Sequence, residues 1–229
     1  MMIGTWWLFV AAHATFLVLV VMLCVDVCGS SRDFPGTERS LFGLEFISEK
    51  LMVCRHSGSR WVGVPHAIGV ALSLILVQNL HTLQALFPEH RCTPHAVASV
   101  LCVWGWAVVI RYDHRRHAPS ARDEWVPHMW GVGIFLSTFF ALHVSVAQRY
   151  FSFHAMVPKH AQLRRYSYMA WDTVYVLAAC VFLVLILAGH IFQAIIVEYV
   201  VALAMLLLNL FSLGLLLRLG FYEATPGWW

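Results

Sequence analysis

"VPHAIGVALSLILVQNLH", residues 64–81, and "VPHMWGVGIFLSTFFALH", residues 126–143, decide the fold. Neither run of eighteen contains Asp, Glu, Lys or Arg. A helix of about 20 apolar residues, rising about 1.5 Å per residue, crosses a hydrocarbon core of about 30 Å. Both runs open with Val-Pro-His, close with Leu-His and share eight identical positions. Their paired histidines, His66 with His81 and His128 with His143, are fifteen residues apart. That spacing is a rise of about 22 Å and a rotation of about 60°, so each pair lies on roughly one side of its helix, near opposite membrane faces.

Further charge-poor runs extend the pattern to six predicted spans, at 6–25, 62–86, 94–110, 127–147, 171–189 and 194–219. The composition agrees: 60% hydrophobic, 12% charged and a mean hydropathy of +0.73 place the chain outside the soluble class. Trp6, Trp7, Trp61, Trp125, Trp171, Trp228 and Trp229 fall at span ends or just beyond, where indole rings settle at headgroup level. Pro65, Pro94 and Pro127 stand at predicted span starts, where a missing N–H costs nothing. The expected fold is an all-α polytopic membrane protein: a single integral membrane domain, 1–229, built as a six-transmembrane-helix bundle with one long first loop, 26–61. The opening apolar run has no basic stretch before it and is read as a retained span, not a cleaved signal peptide. A net charge of +3 gives no reason to expect a nucleic-acid partner.

Charge sets the expected orientation. An even span count puts both ends on one side, together with the loop 148–170, which carries Arg149, Lys159, Arg164 and Arg165 and no acid. That loop is the cleanest positive-inside signal and places both termini in the cytosol, although Arg111, Arg115, Arg116 and Arg122 pull the other way. The same four cations are the expected contact for anionic lipid headgroups or a protein partner, each worth about 1 kcal/mol near such a surface. In the first loop, "RSLFGLEFISEKLMV", residues 39–53, spaces its apolar residues as a short interfacial helix would. Cys28 and Cys54 flank this loop and could pair in an oxidising compartment or remain two free thiols.

Ionisable groups inside a membrane are costly, so each needs an explanation. His66, His81, His128 and His143 have two. As axial ligands from two facing helices they would sandwich two haem b groups, making a di-haem cytochrome or a quinone-linked anchor, with Gly131 among the small residues that admit the macrocycle. Alternatively, His66 and His128 meet water or headgroups at the interface, while His81 and His143 make interhelical hydrogen bonds. Asp172 and Glu198 fall near the starts of the last two spans, where free N–H groups and the positive dipole end favour a carboxylate; Glu198 could also reach His190 across the turn. No hydrolase elbow, P-loop, HExxH or zinc spacing occurs.

The stretch 110–150, "IRYDHRRHAPSARDEWVPHMWGVGIFLSTFFALHVSVAQRY", contains Asp113-His114, then His128 and Gly131 as His-x-x-Gly, then Gln148. The last span, "IIVEYVVALAMLLLNLFSLG", carries Glu198-Tyr199, and the first loop has Phe34-Pro35 and Glu38. In order and spacing these motifs resemble the DRAM/Frag/Sfk superfamily of six-span eukaryotic membrane proteins. The first loop lacks that family's Pro-Glu dipeptide, and His66 and His81 have no counterpart in it. The resemblance implies family positions at Pro35, Glu38, Asp113, His114, His128, Gly131, Glu198 and Tyr199. It also implies a regulatory or scaffolding role without catalysis or a cofactor, at an endomembrane or the plasma membrane, with lipids and other membrane subunits as partners. Three alternatives stand beside it: the di-haem reading, which fits a mitochondrial inner membrane, a purely structural subunit of a large complex, and a lipid- or GPI-anchor-remodelling enzyme using Asp113, His114 and Glu198.

Overall fold

A computed structural model describes residues 2–24, 46–47, 50, 63–86, 93–112, 122–153 and 159–224. Pro35, Glu38, Cys28, Cys54, Asp113 and His114 lie outside the described residues. Among the described residues six long helices follow one another: α1 Met2–Cys24, α2 Val64–Leu86, α3 Thr93–Arg111, α4 Arg122–Phe153, α5 Lys159–Leu187 and α6 Ile191–Ala224. Helix is what an apolar solvent enforces, because every backbone N–H and C=O must find its partner within the segment. Five of the six, α2 to α6, are long and apolar enough to cross a membrane, and α1 adds the shorter apolar stretch Val10–Met22. The chain is an integral membrane protein built as an all-helical bundle.

Contacts run up and down. Trp106 on α3 donates to the Pro65 carbonyl at the start of α2, 3.1 Å away. His95 and Ser145 meet near the other end of the α3–α4 pair, while Gly105 meets Phe135 further along. Tyr175 and Tyr168 on α5 reach Leu136 and His143 on α4 in antiparallel order. Sequential helices therefore pack side by side, and α6 closes the ring by touching α1, α2, α4 and α5.

The tightest seam joins α3 and α4. A Cβ on Gly105 would stand 2.7 Å from the Phe135 nitrogen, and one on Gly131 would stand 2.7 Å from Val108 Cγ1. Lipid tails are as apolar as leucine, so close approach at small residues is what drives such seams. Between α5 and α6 the chain turns in three residues, Ala188, Gly189 and His190. Gly189, at φ +77°, lets His190 N–H reach the Leu185 carbonyl and its own N–H reach Ile186. This paired closure satisfies carbonyls that the helix end leaves open.

Helices α4 and α5 run well past their predicted spans. The apolar windows of α4 and α5 are Trp125–Ser145 and Tyr166–Leu187, yet α4 runs on to Phe153 and α5 begins at Lys159. Two expectations change with these limits. Pro127 is inside α4, as its sixth residue, and not at a helix entrance. Asp172 lies four turns into α5, where the N–H groups are already bonded, so no helix N-terminus meets its carboxylate.

Candidate functional site

The four repeated histidines divide between outside and inside. On α2, His66, Val70, Leu74, Val77 and His81 form one exposed stripe, while Ile68, Leu72, Ile75 and Leu83 fill the core. On α4 the faces are reversed: His128 and His143 are buried with Phe135, Phe139 and Leu142. The structure does not bring the two pairs to a common interface, and α2 and α4 are not substantial neighbours.

His128 sits where α3 ends. Its Nδ1 is 3.0 Å from the Tyr112 carbonyl. A carbonyl only accepts, so Nδ1 carries the proton and donates to an oxygen that lies just past the helix end. The interfacial position expected for this side chain becomes a buried one, with a packing role. His143 lies against the Phe139 ring, centroids 4.3 Å apart, and its carbonyl accepts from Tyr168 Oη at 2.7 Å. His95 on α3 shares a 3.3 Å hydrogen bond with Ser145. Among the described residues no group of three or more His, Cys, Asp or Glu is placed to hold a metal ion.

Glu198 and Tyr199, early in α6, lie at the same end of the bundle as His128 and opposite to His143. Glu198 is the eighth residue of α6, about 10 Å into the helix at 1.5 Å per residue. Its Oε2 accepts from the Ile47 backbone N–H at 2.7 Å. His190, the partner expected from the sequence, is exposed and not the group that meets it. Phe46 and Lys50 are buried and Ile47 is half-buried, with Lys50 N–H bonded to Phe46 O; the rest of the expected interfacial helix, 39–53, lies outside the described residues. Phe46 is 3% exposed and meets the Phe182 ring edge-on. Lys50 is 2% exposed, with its ammonium 5.4 Å from the Tyr199 ring centroid, within cation–π range.

Beneath this turn is a cavity of about 110 Å³. All six helices contribute to its wall, with Phe16, Ile68, Val109, Phe135 and Met205 typical of the lining, and Glu198 as the one carboxylate among the described residues. This docking had no signal in the sequence beyond the amphipathic spacing around Phe46 and Ile47. Gly105 gave a faint one, as the small residue between Trp104 and Trp106.

Of the other family-motif positions, Gly131 is a close-packing residue against Val108 and Val109. Arg149 falls on α4 past the apolar window, and Lys159, Arg164 and Arg165 fall on α5 before it. Set against known proteins, the chain matches no family model, no curated protein and no solved structure.

Proposed function

We propose that this chain is a non-catalytic membrane subunit, regulatory or scaffolding in kind, that engages anionic headgroups and partner subunits through one face of its bundle. The observation that carries this reading is the overrun of α4 and α5. Between Ser145 and Tyr166 both helices continue beyond their apolar windows, and those extensions bear Arg149, Lys159, Arg164 and Arg165 with no acid. A helical projection holds cations just outside the hydrocarbon, where a negatively charged leaflet attracts them. The buried polar groups support the same reading. His128, Tyr168 and Tyr175 spend their hydrogen bonds on neighbouring helices. Such bonds act as interhelical glue and leave little for chemistry. The resemblance to the DRAM/Frag/Sfk superfamily points the same way, towards an endomembrane or the plasma membrane with this face in the cytosol.

The test is capture of protein-bearing zwitterionic nanodiscs by anionic vesicles. Arg164→Ala with Arg165→Ala should weaken capture about 30-fold, from about 1 kcal/mol per cation. Capture that does not change, or that is as strong on zwitterionic vesicles, removes the headgroup role.

A further inference from the structure

We propose, independently of the cationic projection described above, that the bundle interior around Asn79 and Asn209 is a site that binds ordered water. The interior would then have a wet half near His143 and a dry half near Glu198.

Two buried amides carry this inference. Asn79 on α2 and Asn209 on α6 are each 7% exposed. Asn79 lies on the core stripe of its helix with Leu72, Ile75 and Leu83, and Asn209 lies on that of α6 with Val201, Ala204 and Leu208. Among the described residues, Asn79 Oδ1 and Asn209 Nδ2 meet no hydrogen-bond partner. An amide buried without a hydrogen bond is strongly disfavoured. One of these atoms accepts and the other donates, and a water molecule does both.

The two amides share one level of the bundle with other polar groups. His95 on α3 meets Ser145 on α4, and Tyr168 on α5 donates to the His143 carbonyl. The Tyr168 ring also stands edge-on to Phe211, two residues beyond Asn209, with centroids 6.4 Å apart. On α2, Gly69 lies against the Trp106 ring. Asn79 follows Gly69 by ten residues and His95 precedes Trp106 by eleven, so these antiparallel helices bring Asn79 and His95 to depths that agree within about 5 Å. Helices α2 and α6 touch. His95, Ser99, His143 and Tyr168 are all buried at this level. A buried water makes about three hydrogen bonds to polar groups gathered in this way.

The other half is of the opposite kind. Its cavity of about 110 Å³ is walled mainly by apolar side chains such as Phe16, Ile68, Val109 and Phe135. Apolar cavities stay dry, so the protein contains its own control.

The experiment exposes the intact chain in nanodiscs to hydroxyl radicals generated by X-rays. Radicals born from bound water oxidise the buried side chains beside it, and mass spectrometry maps them. Ile75 and Leu83, one turn either side of Asn79, and Leu208, beside Asn209, should be oxidised at least fivefold faster than Ile68 in the dry half. All four are at most 1% exposed, so burial does not separate them. Asn79→Leu should bring Ile75 and Leu83 down to the Ile68 rate while leaving exposed His66 unchanged. Asn209→Leu should do the same to Leu208. Slow oxidation of all four in the wild type overturns the site. Oxidation of Ile68 as fast as that of Ile75 overturns the division into halves. Fast oxidation that persists in both leucine variants overturns the role of the asparagines. Should those variants fail to assemble, the wild-type map decides by itself whether water is bound.

Discussion

Gly105 on α3 and Gly131 on α4 face one another across the tightest seam of the bundle: a Cβ placed on Gly105 would lie 3.0 Å from the Gly131 carbonyl oxygen and 2.7 Å from the Phe135 nitrogen. The obstructing atoms are backbone, so no side-chain rotation relieves the clash. The two helices must separate, and with them the Trp106–Phe135 ring contact, centroids 5.4 Å apart, must change. Gly105→Val is expected to destabilise the protein by about 3 kcal/mol or more, at or beyond the upper end of ordinary overpacking. Gly105→Ala should cost less but remain measurable. Thermal unfolding in detergent, followed by far-ultraviolet circular dichroism, reads both, and a wild-type transition for the valine variant would contradict the seam.

Tyr168 and Tyr175 each donate from α5 to a carbonyl of α4, at 2.7 and 2.8 Å. Those carbonyls lie within a helix and keep their own N–H partners, so removing either hydroxyl leaves no unsatisfied acceptor. Tyr168→Phe and Tyr175→Phe should each cost about 0.6 kcal/mol, and at most about 1.7, the range found for interhelical bonds in membranes. The two sites are two helical turns apart and should add within about 0.5 kcal/mol. A loss of several kcal/mol from either would show that the hydroxyl does more than join two helices.

The class of fold was legible because membrane spans advertise themselves by length and by lack of charge, and the helices found between Val64 and Phe211 reproduce those runs. Their faces were not legible. A helix apolar all round has no polar side to orient it, so the fifteen-residue spacing of His66 and His81 could not reveal that they face outward while His128 and His143 face inward. Helix ends were hidden for a related reason. Hydropathy marks only the apolar window, whereas α5 begins before it at Lys159, and this moved Asp172 from an expected N-terminal turn to mid-helix. One partner of Glu198 lies 151 residues away in sequence and is a backbone N–H, a contact no pattern of side chains announces.

Asp172 follows from that displacement. It is half-buried, and its Oδ1 is buried without a hydrogen-bond partner. A carboxylate in this position is desolvated with nothing in return, whereas an amide of the same shape carries no charge. Asp172→Asn is therefore expected to leave stability unchanged or raise it by about 1 kcal/mol, an amount typical of an unmet polar group relieved. Chemical unfolding in mixed micelles measures it. Destabilisation of the asparagine variant would mean that the charge itself serves a partner or substrate.

The helix faces set an expectation for the repeated histidines. Two haems held between two helices need four imidazoles turned toward a shared interface. His66 and His81 share the exposed stripe of α2 with Val70, Leu74 and Val77, and the buried pair on α4 has other engagements: His128 holds the Tyr112 carbonyl and His143 packs against Phe139. Detergent-purified protein is expected to show no Soret band, and dithionite should change nothing in the visible range. His81→Ala should accordingly be close to neutral for stability. His143→Ala should cost about 2 kcal/mol or more, as large-to-small changes in a packed core do. A Soret band with an alpha band that sharpens on reduction would reverse this assignment, and its loss in both His81→Ala and His143→Ala would show that α2 and α4 rearrange to hold iron.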